Sequence, residues 1–326
     1  MKAAAYVGGV LGLGLLVWLL VRSDVSGMLH AARLGGWGLL WLTPYRVLYF
    51  IIYAAGWRAL LRPYNREPRV GFGYLLWVTS VREAVDRLLP VASVGGAVVG
   101  VRLMGWRGIA AGPASATVIM EVLLTIFSLW LFSVLGLVLL IDLNAGVDTY
   151  RHLLIGILFS APVPVTLLLI LRHGSVFGRL GGLLRGLAGL SGLSQQGAAL
   201  DQELRACLQR TGALAYAGVL QFVALVSGSV EVWLAMRLFG HPCGFGTAVI
   251  MESMTQAVRH GAFVVPAGLG VQEAGLVIVG HALGIGSDLS LAVSLAKRIR
   301  EVLCGVPALL SWQWMEARRL RMADAA

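Results

Sequence analysis

The sequence predicts an all-α fold, a polytopic membrane helix bundle with two inverted repeats, each containing a broken, re-entrant helical hairpin. Three observations predict it: the composition, a series of long apolar runs, and an internal repeat. Of the 326 residues, 58% are hydrophobic and only 13% are charged, and the mean hydropathy is +0.82. A soluble domain carries about 25% charged residues. We therefore expect the chain to be embedded in a lipid bilayer.

Apolar runs of bilayer length recur along the chain. A spanning helix needs about 20 apolar residues. Six segments fit this length: 3–21, 36–60, 113–141, 151–171, 212–238 and 289–314. The first run is too long for the core of a signal peptide, and no A-x-A site follows it, so we expect it to be retained as a helix.

Two further apolar regions, 72–104 and 245–283, are interrupted near their middles by proline and glycine. The interrupting residues are Pro90, Gly95 and Gly96 in the first region, and Pro266, Gly268 and Gly270 in the second. Broken helices at membrane depth are tolerated only where they are buried in protein or line a cavity. The sequence therefore predicts two hairpins that enter the membrane and return on the same side.

The two hairpins resemble each other in sequence. FGYLLWVTSVREAV (72–85) and FGTAVIMESMTQAV (245–258) share five identical positions, and each is followed by a proline, by glycines and by the tripeptide EVL. Three predicted crossings lie between the copies, so the copies should have opposite orientations. Inverted repeats with discontinuous helices are the architecture of many secondary transporters. This organisation favours translocation.

We interpret residues 1–326 as a single integral membrane domain. Its parts are an N-terminal helix (1–35), repeat one (36–141), a connecting helix with a cytoplasmic interfacial segment (142–211), and inverted repeat two (212–315). Leucines of 172–211 fall on one helical arc, which predicts an interfacial helix; its many glycines leave a flexible loop as the alternative. The arginines concentrate in alternate loops, so the positive-inside rule places both termini in the cytoplasm of a bacterial inner-membrane protein.

This topology predicts which loops an impermeant thiol reagent reaches. Single cysteines placed at Arg62, Arg185 and Asp142 in a cysteine-free background test it. We expect labelling of intact cells at position 142 only, because the other two positions lie in arginine-rich loops that the positive-inside rule places in the cytoplasm. Labelling of position 62 from the periplasm would contradict the topology.

Ionisable residues recur inside the predicted membrane segments, where each costs about 2.5–3.5 kcal/mol on insertion scales. The candidate substrate-binding residues are Arg82, Glu83, Asp86, Glu121, Arg259, Glu273, Arg298 and Glu301. They are interpreted either as buried ion pairs that lock the hairpins or as the lining of a cavity for an anionic or polar head group. Glu231 is expected to pair with Arg237.

Other functional classes lack support in the sequence. The net charge of +10 comes from arginines in short loops, not from a basic face with interleaved aromatic residues, so no nucleic acid partner is expected. The three cysteines have no CxxC spacing, and no HExxH, Walker A, Rossmann or GxSxG motif is present. We expect no metal, no cofactor and no catalytic residues.

Three stretches and one glutamate resemble a known family. REAVDRLLPVASVGGAVVG (82–100), AFVVPAGLGVQEAGLVIVGHALG (262–284), Glu121 and KRIREVL (297–303) are similar to the flippase-like transmembrane region of lysylphosphatidylglycerol synthetases, and most of all to its branch associated with hopanoid biosynthesis. The sharpest motif is P-x-G-x-G-x-x-E at 266–273, in which Gln272 stands where relatives commonly have arginine. The resemblance implies lipid handling without aminoacyl transfer.

The leading expectation is therefore a lipid flippase or transporter that moves a polar-headed lipid, a hopanoid or a phospholipid, across the inner membrane. Its partners would be membrane lipids and enzymes of lipid biosynthesis. The alternative is a non-transporting lipid-binding or scaffold subunit of membrane lipid biosynthesis. A membrane-embedded enzyme is a third class, for which no residue spacing singles out a nucleophile or a metal site.

Overall fold

The computed structural model describes residues 33, 35–65, 67, 69–89, 95–144, 162–183, 193–261 and 270–324. These residues form helices and connecting turns with no strand among them, so the predicted all-α class is confirmed. The helices are α1 (Leu42–Leu61), α2 (Phe72–Leu88), α3 (Gly95–Gly105), α4 (Ala111–Asn144), α5 (Pro162–His173), α6 (Val176–Leu183), α7 (Leu193–Leu208), α8 (Thr211–Leu238), α9 (Phe245–Gly261), α10 (Val271–Ala282) and α11 (Ser287–Asp324).

Three of the described helices are long and apolar enough to cross a membrane: Gly36–Tyr64, which includes 3-10 turns on either side of α1, Ala111–Leu143 in α4, and Thr211–Leu238 in α8. They match three of the predicted crossings. The predicted crossing 289–314 lies within α11, whose middle carries four charged side chains. The predicted crossing 3–21 lies outside the described residues, and only the second half of 151–171 is described, as α5.

The helices of the two predicted repeats follow the same order. In α1–α4 and in α8–α11, a long helix is followed by a 17-residue helix, a short helix and a second long helix. The 17-residue helices α2 and α9 begin at Phe72 and Phe245, the two residues that head the matched segments. The opposite orientation of the copies in a membrane stays a prediction.

Each predicted hairpin has two helical arms that contact each other. In hairpin one (α2 and α3), the Tyr74 hydroxyl donates a hydrogen bond to the Leu103 carbonyl oxygen at 2.7 Å. In hairpin two (α9 and α10), Gly275 packs against Thr255. The breaks at Pro90, Pro266 and Gly268 lie outside the described residues. A re-entrant course through the membrane therefore stays a prediction.

The chain forms two compact units, each drawing on both repeats. Unit one comprises the described residues of Met1–Leu48, Trp77–Gly96 and Gly228–Ala326, and unit two comprises those of Tyr49–Leu76 and Ala97–Ser227. One core of unit one joins α8, α9, α10 and α11 through Val232, Ala235, Met236, Ala248, Met251, Leu276 and Val293. The core of unit two includes Leu60, Met120, Leu171, Leu204 and Ala217.

The described part of 172–211 forms a pair of packed helices, α6 and α7, rather than the single helix or flexible loop that the sequence suggests. Gly178 of α6 packs against Ala198 of α7, and the Asp201 carboxylate accepts hydrogen bonds from the backbone amides of Phe177 at 3.2 Å and Gly178 at 2.8 Å. A glycine at the crossing permits this close approach. The position of the pair at a cytoplasmic interface stays a prediction.

The Cys207 thiol on α7 lies in the core of unit two, outside the helices of bilayer length. Burial raises the pKa of this thiol. The thiol stays protonated at neutral pH and packs as a small apolar side chain, which agrees with the absence of CxxC spacing.

Candidate functional site

Seven of the eight candidate residues lie in unit one, on α2, α9, α10 and α11. The sequence of α11 explains why this unit collects charge. Lys297, Arg298, Arg300 and Glu301 occupy four of five consecutive positions, and all four are buried. Because successive residues of a helix point in different directions, these side chains reach partners on several neighbouring helices.

Glu301 is the centre of the arrangement. Its Oε2 accepts a hydrogen bond from Arg298 Nη1 at 3.0 Å, and its Oε1 accepts one from Arg259 Nη1 at 3.2 Å. Arg87 Nη1 lies 3.7 Å from the same Oε1. The Glu301 side chain is 1% exposed. One carboxylate is therefore shared by three guanidinium groups that come from α2, α9 and α11.

Arg298 joins Glu301 to the first turn of α10. Its Nη2 and Nε lie 3.2 Å and 3.3 Å from Glu273 Oε1, and its side chain is 2% exposed. Arg259 makes a second link to the same turn, because its Nη1 donates to Gln272 Oε1 at 2.8 Å. Gln272 thus serves as the acceptor for an arginine of α9.

A second branch begins at Glu83. Glu83 and Arg87 form an i,i+4 pair on α2, with Arg87 Nε donating to Glu83 Oε1 at 2.9 Å. Glu83 also pairs with Arg46 of α1, whose Nη1 lies 3.5 Å from Glu231 Oε1 on α8. Glu231 Oε2 in turn accepts a hydrogen bond from Arg300 Nη2 at 2.6 Å.

The predicted pairing of Glu231 with Arg237 is wrong. The Arg237 guanidinium lies over the Trp233 ring, 4.5 Å from its centroid. Residues three or four apart on a helix face each other, whereas residues six apart do not. The spacing of Trp233 and Arg237 is four, so the aromatic contact is the one that the helix favours.

Lys297 and Glu252 form a buried ion pair between α11 and α9, with side chains 3% and 4% exposed. Gln256 Nε2 donates a further hydrogen bond to Glu252 Oε1 at 2.8 Å. A Cβ atom at Gly228 of α8 would lie 3.3 Å from the same Oε1, so a glycine there leaves room for the carboxylate. The sequence gives no signal for this pair, since its members are 45 residues apart.

Equivalent positions link the arms of both hairpins. In hairpin one, the Gly96 backbone amide donates to Asp86 Oδ1 at 2.8 Å, and a Cβ at Gly96 would meet this carboxylate and the Arg82 carbonyl oxygen. In hairpin two the link runs from Arg259 to Gln272. Matching the helix starts pairs Asp86 with Arg259, and matching the two prolines pairs Gly96 with Gln272. The two pairs of helices thus share a contact at matched positions but make it with side chains of opposite charge.

The ionic network of unit one carries more positive than negative groups among the described residues. Its cations are Arg46, Arg87, Arg259, Lys297, Arg298 and Arg300, and its carboxylates are Glu83, Glu231, Glu252, Glu273 and Glu301. Arg82 and Asp86 add one charge of each sign. A buried excess of positive charge favours an anion. No group of metal-ligating side chains occurs in the described parts of the chain.

Glu121, the eighth candidate residue, lies on α4 in unit two. It is fully buried, and its backbone oxygen accepts hydrogen bonds from Thr125 Oγ1 at 2.9 Å and Gln221 Nε2 at 3.2 Å. Glu121 and Lys297 each lie ten residues after the start of α4 and α11. The repeat therefore matches Glu121 with Lys297 by helix position, one helical turn away from the match with Glu301 that the EVL tripeptides suggest.

The apolar helices of membrane-spanning length, together with the buried ionic network of unit one, define a helical membrane protein. The chain belongs to the family of the lysylphosphatidylglycerol synthase TM region, whose family model matches residues 6–307. This match confirms the family predicted from the motifs. The protein is therefore a member of a membrane-protein family that is linked to membrane lipids. Neither the curated proteins nor the solved structures contain a match to this chain.

Proposed function

We propose that this protein is a lipid flippase that moves a polar-headed lipid, a phospholipid or a hopanoid, between the leaflets of the bacterial inner membrane. The observation that carries the proposal is the Glu301 carboxylate, buried and shared by Arg298, Arg259 and Arg87. Membership of a lipid-related membrane family supports lipid as the cargo. The protein acts without catalysing a chemical reaction.

The physical argument concerns exchange of partners. Guanidinium groups bind phosphate and carboxylate through the same planar fork of N–H donors. An anionic head-group oxygen therefore competes with Glu301 and Glu273 for Arg298 and Arg259. Because these arginines have carboxylate partners when no lipid is bound, the site avoids the cost of an unpaired buried charge in the empty state.

The inverted repeat supplies the means of opening the site to either side. Two equivalent halves in opposite orientations exchange conformations when the protein opens toward one leaflet or the other. The matched order of α1–α4 and α8–α11 supports this part of the proposal. It further requires the breaks Pro90–Gly96 and Pro266–Gly270 to approach each other near the membrane midplane.

A second function is favoured by the same ion pairs. Each of the five carboxylates in the ionic network has a cationic partner, which also suits a rigid lock between helices. A locked protein would bind lipid, or hold enzymes of hopanoid or phospholipid biosynthesis, without moving lipid between leaflets. The two functions differ in leaflet exchange, not in lipid binding.

Exchange of fluorescent phospholipid in proteoliposomes tests the proposal. Dithionite quenches only the outer-leaflet label, so the quenched fraction measures movement. We expect exchange with the natural protein, and its loss in the double variant Arg298→Gln/Glu301→Gln. This variant removes both charges of a buried pair and should therefore lose less stability than Glu301→Gln alone. The exposed pair in Glu67→Gln/Arg69→Gln is the matched control and should exchange normally.

Each outcome has a clear meaning. A folded double variant that exchanges lipid at the natural rate would reject the head-group role of this pair. Absence of exchange in the natural protein, for phospholipid and hopanoid alike, would favour the scaffold function. Mass spectrometry of lipids that co-purify with the protein, compared with those of an unrelated helical membrane protein, identifies the lipid class.

A further inference from the structure

A surface groove in unit two lies between the end of α5 and the start of α6. Its volume is about 740 Å³, which falls within the range of about 300–1,000 Å³ typical of small-molecule sites. Its walls include Thr166, Leu169, Ile170, His173, Ser175 and Arg179. None of these residues belongs to the ionic network of unit one.

The apolar wall of the groove is one stripe of α5. Thr166, Leu169, Ile170 and His173 have the spacing i, i+3, i+4 and i+7, which places them on a single helix face. Leu169 and Ile170 are 49% and 44% exposed. At 1.5 Å per residue the twelve residues of α5 extend for about 18 Å. The groove therefore continues into an exposed apolar path along the helix.

The polar end of the groove is cationic. Arg179 is exposed and has no ion-pair partner among the described residues. His173 lines the same groove, with its Nδ1 hydrogen-bonded to the Leu169 carbonyl oxygen at 3.3 Å. The Asp201 carboxylate already accepts hydrogen bonds from the first amides of α6. An anion in the groove would therefore be bound by side chains and not by the helix end.

We propose that this groove binds an anionic phospholipid as an accessory site. The phosphate contacts Arg179 and His173 at the cationic end, and an acyl chain lies along the α5 stripe past Leu169. An amphiphile fits this surface because charged side chains lie at one end only and the rest of the wall is uncharged and mostly apolar. The site is independent of the proposed transport, since it uses none of the ionic network.

Photo-crosslinking tests the site in the full-length protein in detergent micelles. The probe is phosphatidylglycerol with a diazirine in one acyl chain, and the crosslinked peptides are mapped by mass spectrometry. We expect crosslinks on α5 that fall about tenfold in Arg179→Gln/His173→Gln, because a charge-assisted contact contributes about 1.5–3 kcal/mol and 1.4 kcal/mol is a factor of ten. Arg62→Gln, an exposed arginine of the same unit, is the control and should leave the yield unchanged.

Two competitors separate lipid from other ligands. Unlabelled phosphatidylglycerol should suppress the α5 crosslinks, whereas diacylglycerol and soluble glycerol phosphate should not, since each lacks one half of the recognised structure. Equal suppression by diacylglycerol would overturn the role of the cationic end. Equal suppression by glycerol phosphate would show a free-anion site and overturn the lipid assignment. Crosslinks confined to other helices would also contradict the proposal.

Discussion

Replacing Glu301 by glutamine is expected to destabilise the protein by about 3–5 kcal/mol, the usual cost of removing one partner from a buried ion pair. The substitution keeps the shape of the side chain but removes the charge that Arg298, Arg259 and Arg87 share. Arg298 retains Glu273, and Arg259 retains its hydrogen bond to the neutral Gln272. The free energy of unfolding in mixed micelles containing denaturing detergent measures the loss.

The control for this experiment is Glu67→Gln. Glu67 pairs with Arg69 at the surface, where the two side chains are 76% and 59% exposed. Exposed pairs contribute about 0–1 kcal/mol. Adding Arg298→Gln to Glu301→Gln should recover part of the lost stability, since fewer unpaired charges remain. Equal unfolding free energies for Glu301→Gln and Glu67→Gln would contradict the buried network.

Replacing Lys297 by methionine is expected to lower the free energy of unfolding by a similar amount, about 3–5 kcal/mol. Methionine keeps most of the volume of the lysine side chain and removes its ammonium group. Glu252 is then left buried against α8, with the Gln256 amide as its remaining described donor. The effect is measured by heating the purified protein and recording the fraction that stays monodisperse at each temperature.

The double variant Lys297→Met/Glu252→Gln separates loss of a charge from loss of packing. With both charges removed, a buried ion pair is often replaced at no cost or with a gain of about 1–4 kcal/mol. We expect stability close to that of the natural protein. A double variant as unstable as Lys297→Met alone would mean that the lysine acts through its packing and not through Glu252.

The sequence shows which positions are charged, but local spacing indicates only part of their pairing. The Glu83–Arg87 pair was predictable because both residues lie on one helix at the i,i+4 spacing. The Arg298–Glu301 pair follows in the same way from i,i+3 spacing. In contrast, Lys297–Glu252 and Arg300–Glu231 join residues 45 and 69 positions apart, and no local pattern indicates which helices meet.

Glu231 shows why local reasoning fails for such residues. Arg237 is the nearest cation in the sequence, but residues six apart on a helix point in different directions. The partners of Glu231 come instead from α1 and α11. The same limit applies to Gln272. Gln272 accepts a hydrogen bond from Arg259 because the two arms of hairpin two pack against each other. The sequence motif that contains Gln272 does not indicate this contact.

The sequence by itself determined the helical class, the membrane setting, the family and the repeated order of the helices, because apolar run length, charge content and the spacing of Pro and Gly are properties of short segments. Only the tertiary structure decided that Glu301 is shared by three arginines, that α6 and α7 pack as a pair, and that α5 borders a cationic groove. These features depend on contacts between distant segments. A buried charge needs an oppositely charged partner, and the packing of the helices determines which partner lies close enough to pair with it.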